Sequence, residues 1–192
     1  MSLDPAARAS MLAAIPRLRA FALTLCRNPD RADDLVQETV MLACGNIGSF
    51  RPGSNMRAWL TTILRNRFYS EYRRRPREVE DVDGVHAATL MTLPDQVASL
   101  EQQELRAALT RLPDEMREVL HLVFASGLSY GEVARICGCA VGTIKSRVHR
   151  ARAMLIRMLS LESPAELFQD PIPQSVAVAA GTRNRIGCAK SS

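Results

Sequence analysis

The sequence predicts an all-α protein of two small helical domains joined by an acidic flexible linker, with a helix-turn-helix in the C-terminal domain. Apolar residues make up 47% of the 192 residues and aromatic residues only 5%, which is typical of helical cores built from Leu and Ala. Apolar residues recur about every three to four positions, and no segment alternates as a strand would. The predicted boundaries are 1–77 for the first domain, 78–96 for the linker, 97–160 for the second domain and 161–192 for a disordered tail.

The first domain begins with two predicted helices. Pro16 is expected to begin the first, because proline is tolerated in a first turn, and Asn28 with Pro29 is expected to end it. Asp30 is then expected to cap the second helix. The apolar side chains of that second helix fall on one stripe: Ala32, Leu35, Val36, Thr39 and Ala43.

A turn-forming cluster, GSFRPGSN, precedes a third and longer helix. Ser54 or Asn55 is the expected N-cap, and the helix is expected to end near Arg75. Its predicted buried stripe is Met56, Trp59 or Leu60, Ile63, Leu64, Phe68 and Tyr72. Residues 51–77 hold eight arginines and one acid, Glu71, with aromatic residues interleaved. This is the most polarised face that the sequence predicts.

Residues 78–96 reverse this charge, because they hold five acids and neither Lys nor Arg, and they show no helical period. This segment is predicted to be the flexible linker. Helical spacing returns after Val97, and Pro113 is expected to open a helix that Gly127 ends. Beyond Leu159, prolines and polar residues predict disorder.

The segment LSYGEVARICGCAVGTIKSRVHRAR, residues 128–152, predicts a helix-turn-helix. Ser129 and Glu132 have the spacing of a capping box, so a short helix should start after Ser129. Gly138 tolerates a positive φ past the end of that helix, and a second helix should begin near Val141. The predicted inner stripe of the second helix is Ile144, Val148, Ala151, Leu155 and Leu159. Its other faces present Thr143, Lys145, Ser146, Arg147, His149, Arg150 and Arg152. A basic helix of this kind fits the major groove of DNA.

Metal binding is an alternative interpretation of the same segment, because Cys137 and Cys139 are followed by His149. A C-x-C pair with one distant histidine supplies at most three ligands and lacks the C-x-x-C pairing of structural zinc sites. We therefore expect neither a metal nor a cofactor. The histidines lie far apart, and no Gly-rich phosphate loop or activated nucleophile is recognisable, so the sequence does not favour an enzyme.

The net charge of +5 and the local basic runs favour nucleic acid as a partner. Five cysteines in a chain without a recognisable export signal fit a reducing cytoplasm better than a disulfide framework. No stretch approaches about 18 consecutive apolar residues, so no membrane insertion is expected.

Three motifs in order give the sequence a family resemblance: residues 30–43 (DRADDLVQETVMLA), residues 50–75 (FRPGSNMRAWLTTILRNRFYSEYRRR) and residues 112–155. Together they resemble the extracytoplasmic-function (ECF) sigma factors of bacterial RNA polymerase. Residues 15–39 are similar to the general stress-response subgroup of alphaproteobacteria, whose members are held inactive by a small anti-sigma protein. The resemblance implies core RNA polymerase, promoter DNA and an anti-sigma factor as partners.

The resemblance also implies a role for individual residues. Core polymerase would be bound by Asp34, Leu35, Gln37 and Glu38. The minus-ten promoter element would be melted and held by Asn55, Arg57, Arg65, Asn66 and Tyr69. The minus-thirty-five element would be recognised by Thr143, Lys145, Ser146, Arg147 and Arg150.

Two other functions are compatible with a helix-turn-helix. The first is a sigma-like decoy that binds an anti-sigma protein without binding DNA, which predicts eroded basic surfaces and usually an attached receiver domain. The second is an ordinary helix-turn-helix regulator, which leaves the arginine-rich third helix unexplained. The basic residues retained in both domains favour the sigma factor.

Overall fold

The computed structural model describes residues 4–74 and 100–159, so the predicted linker and tail lie outside the described residues. The helices, in chain order, are α1 (Pro5–Cys26), α2 (Pro29–Gly45), α3 (Met56–Arg74), α4 (Leu100–Thr110), α5 (Asp114–Leu120), α6 (Tyr130–Cys137) and α7 (Val141–Leu159). A 3-10 turn, Ile47–Ser49, lies between α2 and α3, and a π-helical turn, His121–Ala125, continues α5. These described residues include no strand, so the predicted all-α class is confirmed.

Helix α1 passes through Pro16 without a break, so the prediction that Pro16 begins a helix is wrong. The helix starts at Pro5, where the carboxylate of Asp4 accepts a hydrogen bond from the N–H of Ala7 at 3.2 Å. Burial of apolar side chains on both sides of Pro16, such as Met11 and Leu18, offsets the hydrogen bond that the proline cannot donate.

By length and composition α1 could cross a membrane. In this fold, however, its apolar face packs against α2 and α3 and is part of the protein core. Phe21 and Ala22 on that face are completely buried. The described structure therefore accounts for α1 as a core helix.

The junction between α1 and α2 differs from the prediction in its cap. Arg27 adopts a left-handed conformation, φ 53°, and ends α1. The N-cap of α2 is Asn28, whose side-chain oxygen accepts from the N–H of Arg31 at 2.9 Å, while Asp30 lies in the first turn. The proline at position 29 explains the difference, because proline favours the first helical position and so places the cap one residue before it. The predicted inner stripe of α2 is confirmed.

Helix α3 begins as predicted after Asn55, whose side-chain oxygen accepts from the N–H groups of Arg57 and Ala58 at 3.1 and 3.3 Å. Its buried apolar residues are Met56, Leu60 and Leu64. Trp59 is half-buried and packs on Phe50 with the ring centroids 5.3 Å apart. Tyr72 is 71% exposed, so its predicted place in the buried stripe is wrong. It lies near the end of α3, where its ring stacks on that of Phe68 with the centroids 6.4 Å apart.

The helix-turn-helix is confirmed in detail. Ser129 and Glu132 form a reciprocal capping box at the start of α6, and Gly138 follows the helix with φ 66°. Position 140, just before α7, is Ala, whose side chain cannot cap a helix. Helix α7 nevertheless begins at Val141, where the main-chain carbonyl of Ala140 accepts the first helical hydrogen bonds. The buried residues of α7 are Ile144, Val148, Ala151 and Leu155.

The two helical groups pack against each other. Helix α1 contacts α5 and the π-helical turn, and α3 contacts α6. At the first contact the rings of Phe21 and His121 lie with centroids 5.6 Å apart, and Thr24 Oγ1 lies 3.0 Å from Nδ1 of His121. The faces of α1 and α3 that meet the C-terminal helices contain several residues that the sequence assigned to DNA binding.

Candidate nucleic-acid interface

Helix α7 presents one exposed polar row. Lys145, Ser146, His149 and Arg150 are exposed along its first half, on the side opposite the buried residues of the same helix. The capping box of α6 and the tight turn at Gly138 fix the direction in which α7 leaves the domain. The row has the width and the donors required to contact base edges and phosphates in a major groove.

Two other residues predicted to recognise the upstream element lie at the side of this row. Arg147 is 22% exposed and forms a salt bridge with the carboxylate of Glu115 on α5, with 2.6 Å between the nitrogen and the oxygen. Thr143 is half-buried. His149 was not in the predicted set, although its spacing of four residues from Lys145 places it on the same face.

Helix α3 presents Asn55, Arg57, Arg65 and Tyr69 toward the C-terminal helices, and we call this set the α3 face. Arg65 Nε donates to Glu118 Oε1 at 2.6 Å, and the Tyr69 hydroxyl donates to Glu118 Oε2 at 3.1 Å. The guanidinium of Arg65 also lies over the ring of Tyr69, 4.6 Å from its centroid. Glu118 lies on α5, and its side chain is only 4% exposed.

Burial and charge explain the ionisation of this cluster. Burial, together with the adjacent Glu118 carboxylate, raises the pKa of Tyr69 to about 12. The hydroxyl therefore stays protonated and donates a hydrogen bond to Glu118. Burial alone would lower the pKa of Arg65, but the hydrogen bond and charge of Glu118 raise it. Arg65 and Glu118 therefore form an ion pair between the two domains.

The other two members of the α3 face also contact the C-terminal domain. Asn55 Nδ2 donates to Glu132 Oε1 at 2.7 Å, and Arg57 donates to the main-chain carbonyl of Ser126. Arg17 of α1 donates to the neighbouring carbonyl of Ala125 at 2.9 Å. Each of the four side chains of the α3 face thus has a partner in the other domain.

The fifth residue predicted for the minus-ten element, Asn66, lies elsewhere. It is exposed and lines a cavity of about 420 Å³ between α2, the loop after it and α3. The remaining residues lining this cavity are Leu42, Asn46, Ser49, Trp59, Ile63, Arg67, Ser70 and Arg74. Amide, hydroxyl, guanidinium and indole groups together suit an unstacked base with its phosphate.

The outward side of α2 forms a second polar surface. Asp34 and Gln37 are exposed, and Glu38 is half-buried and accepts from Arg67 Nε at 2.5 Å. That hydrogen bond lowers the pKa of Glu38. Leu35, which was predicted for the same surface, is 5% exposed and belongs to the core.

The residues predicted to bind core polymerase did not include Met41, which lies on the same side of α2. It is 73% exposed and lies one helical turn after Gln37. Its position outside the inner stripe of α2 was the available signal, because methionine is enriched at protein–protein interfaces.

No group of three or more His, Cys, Asp or Glu side chains with a metal-binding arrangement occurs in residues 4–74 and 100–159. Cys137 and Cys139 pack against the core at the turn of the helix-turn-helix. Burial raises the pKa of Cys137 to about 12. A half-buried, protonated thiol that packs against the core is a packing residue.

The chain matches two family models, Sigma-70 region 2 over residues 12–78 and Sigma-70, region 4 over residues 102–155. The ECF RNA polymerase sigma factor EcfG of Rhodopseudomonas palustris (strain TIE-1) is 56% identical over 176 residues, which are 92% of this chain and 97% of that protein. The chain belongs to the ECF sigma factors. As a sigma factor it binds core RNA polymerase and promoter DNA and directs transcription initiation.

Two more relatives support this sigma factor assignment. The ECF RNA polymerase sigma factor SigE of Mycolicibacterium smegmatis (strain ATCC 700084) is 35% identical over 154 residues, covering 77% of this chain and 59% of that protein. The solved structure of the sigma factor RpoE in complex with the anti-sigma factor NepR from Bartonella quintana is 49% identical. It matches this sigma factor with a TM-score of 0.68 over 81% of this chain and 98% of that one.

Proposed function

We propose that this sigma factor uses three separate surfaces in initiation and that it acts by binding alone. Its near-full-length identity of 56% to an ECF sigma factor supports the proposal most strongly. The proposed domains are residues 1–77, with core polymerase and minus-ten binding, and residues 97–160, with minus-thirty-five binding. The proposed location is the cytoplasm, where core polymerase and the promoter are found.

The first surface lies on α2 and binds core polymerase. It consists of Asp34, Gln37 and Glu38, with Met41 as its apolar centre. An exposed apolar side chain surrounded by polar ones is the usual composition of a protein interface. Leu35 supports the surface from inside the core.

The second surface melts and holds the minus-ten element. It combines the α3 face with the cavity beside Asn66. Arginines neutralise the phosphates of the displaced strand, and aromatic or amide side chains stack on or bond to unstacked bases, at about 1–3 kcal/mol per stacked base.

The third surface is the exposed row of α7, which recognises the minus-thirty-five element. Lys145 and Arg150 donate to guanine edges or phosphates, and Ser146 and His149 extend the same row. Arg147 and Thr143 support it from the side, because Arg147 is already paired with Glu115.

The solved complex described above supports a proposal about regulation. The sigma factor in that complex is bound to the anti-sigma factor NepR. We propose that the present chain is likewise inhibited by a small anti-sigma protein and serves stress-response genes. The 49% identity between the two sigma factors supports a partner of the same kind.

Reconstituted transcription tests the function. Purified protein is added to core polymerase on a genomic template library, and transcripts are sequenced for a common upstream element. Promoter-specific transcripts that disappear when the NepR protein of the Bartonella quintana complex is added are the expected result. The complete absence of specific transcripts would exclude the proposed function and favour the decoy.

A further inference from the structure

The start of helix α7 carries no polar side chain, although the exposed row that follows it is polar. Ala140, Val141 and Gly142 are all exposed and directly precede that row. The side chain of Val141 is the largest of the three, and the residue is 42% exposed. Without a side-chain donor or acceptor, this first turn can distinguish one base pair from another only by shape and by apolar contact.

Gly142 lies in the middle of the exposed row of α7. The exposed residues of the row follow it by three, four and seven positions: Lys145, Ser146 and His149. Residues with this spacing share one face of a helix, and the buried residues of α7 lie on the opposite side. Gly142 is therefore directed outward, while Val141 lies at the edge of the row, next to the buried side of the helix.

The packing and the backbone of the described residues do not require glycine at position 142. No atom of these residues lies within 4 Å of the place where a Cβ on Gly142 would be, and Gly142 is not one of the glycines with a positive φ. Glycine in a helix is less stable than alanine, because it loses more conformational freedom on folding. On a row that faces DNA, its remaining use is to let a base pair approach the main chain closely.

We propose that the first turn of α7 contacts the methyl group of a thymine in the minus-thirty-five element. Val141 supplies the apolar contact, and the missing side chain of Gly142 lets the helix lie close enough to the base pair for this contact to form. The C5-methyl of thymine is the apolar group that base pairs present in the major groove. This inference rests on the proposed assignment of the exposed row to the minus-thirty-five element.

Replacing thymine by uracil removes this methyl group and leaves the base-pairing atoms unchanged. Each thymine of a fluorescent minus-thirty-five duplex, identified by the transcription assay, is replaced in turn and titrated with the polymerase holoenzyme. For wild type we expect one replacement to weaken binding about fourfold, because the burial of one methyl group is lost. V141A should bind the thymine duplex more weakly than wild type does, and the same replacement should then have no effect.

K145A is the matched control for V141A, because Lys145 lies on the same row one turn later. It should weaken binding of the thymine duplex and of the uracil duplex by the same factor, so that the fourfold difference between the two duplexes remains. A uracil effect that depends on Val141 and not on Lys145 assigns the methyl contact to Val141.

G142A tests the close approach. We expect its melting temperature to rise by about 1–3 °C, because alanine is the better helix former. Its affinity for the thymine duplex should nevertheless fall about tenfold, because the added methyl group holds the helix away from the base pair. G131A is the control, since Gly131 is the second residue of α6, is exposed with the same open surroundings, and lies outside the row. It should gain stability and keep the affinity of wild type.

Equal affinity of wild type for all thymine and uracil duplexes, or a uracil effect that persists in V141A, would overturn the inference. Unchanged affinity of a folded G142A would overturn it as well. K145A separates these results from failure of the proposed function. If K145A binds the duplex as wild type does, the row is not the DNA-binding surface, and the inference fails with that assignment. If K145A loses affinity while the uracil effect is missing, the row binds DNA and the methyl contact does not exist.

Discussion

At the scale of single residues, the most informative comparison is between the arginines of α7. Arg150 is exposed, whereas Arg147 is 22% exposed and is already in a salt bridge with Glu115. Arg157 is also exposed but lies two turns beyond the proposed recognition row. The three side chains have the same charge, so any difference in what they contribute to DNA binding must come from their positions and their partners.

We expect Lys145→Ala and Arg150→Ala each to weaken binding of the minus-thirty-five duplex by about 1–3 kcal/mol, with core polymerase binding unchanged. Arg147→Ala should weaken it less, because that guanidinium must first leave Glu115. Arg157→Ala is the control and should have no effect on sequence preference. Titration of the duplex with the polymerase holoenzyme measures all four. Equal losses for Arg150→Ala and Arg157→Ala would mean that only net charge matters.

Cysteine reactivity gives a test of burial at individual residues. Burial raises the pKa of Cys26 to about 11 and that of Cys137 to about 12, whereas Cys44 is exposed. In a Cys139→Ser/Cys188→Ser background at pH 8 we expect a disulfide reagent to modify Cys44 rapidly, and Cys26 and Cys137 far more slowly, because their half-buried thiols stay protonated. Rapid modification of Cys137 in the native protein would contradict the described packing of the helix-turn-helix.

At the scale of helices, a single histidine links α1 to the turn after α5. Nδ1 of His121 lies 3.0 Å from the Thr24 hydroxyl, while Nε2 is buried without a hydrogen-bond partner. Burial lowers its pKa to about 4. The neutral ring therefore fits this site, and the imidazolium does not.

Stability should consequently fall between pH 6.5 and pH 4. In this range the unfolded chain protonates His121 and the folded chain does not, so unfolding is favoured as pH decreases; above pH 6.5 the contribution is fully present. We expect this histidine to account for up to about 3 kcal/mol of the loss. Urea unfolding at pH 7 and pH 4.5 should show a smaller pH effect for His121→Gln than for wild type. His149→Gln, at an exposed position, should behave as wild type does.

The sequence predicted local helical features well, since caps and stripes depend on neighbouring residues. The capping box of Ser129 and Glu132 and the left-handed turn at Gly138 are examples. The prediction failed where contacts between distant parts of the chain determine the structure. Burial on both sides of Pro16 keeps α1 continuous, and Tyr72 is 71% exposed among the described residues although its spacing continues the apolar stripe of α3. The partner of Arg65 is 53 residues away in the chain, and no local pattern indicates that distance.

At the scale of the whole molecule, the polar contacts between the domains include buried groups. The pair of Arg65 with Glu118 and the contact of Thr24 with His121 both lie at this boundary. Contacts of this kind make the unfolding of one domain depend on the other.

We therefore expect wild type to unfold in one calorimetric transition and E118A to unfold in two, because E118A leaves Arg65 without its partner carboxylate. Glu104→Ala, at an exposed position on α4, should keep the single transition. Two well-separated transitions in wild type would indicate that the domains unfold independently.

The 53-residue separation between Arg65 and Glu118 has a consequence for synthesis on the ribosome. At about 5–20 residues per second, the arginine-rich helix leaves the ribosome roughly 3–10 s before the carboxylate that pairs with it. During those seconds the nascent chain presents unneutralised cations close to ribosomal RNA and messenger RNA. Because the arginines leave the ribosome before Glu118 does, nonspecific binding of the nascent chain to RNA is most favoured during this period.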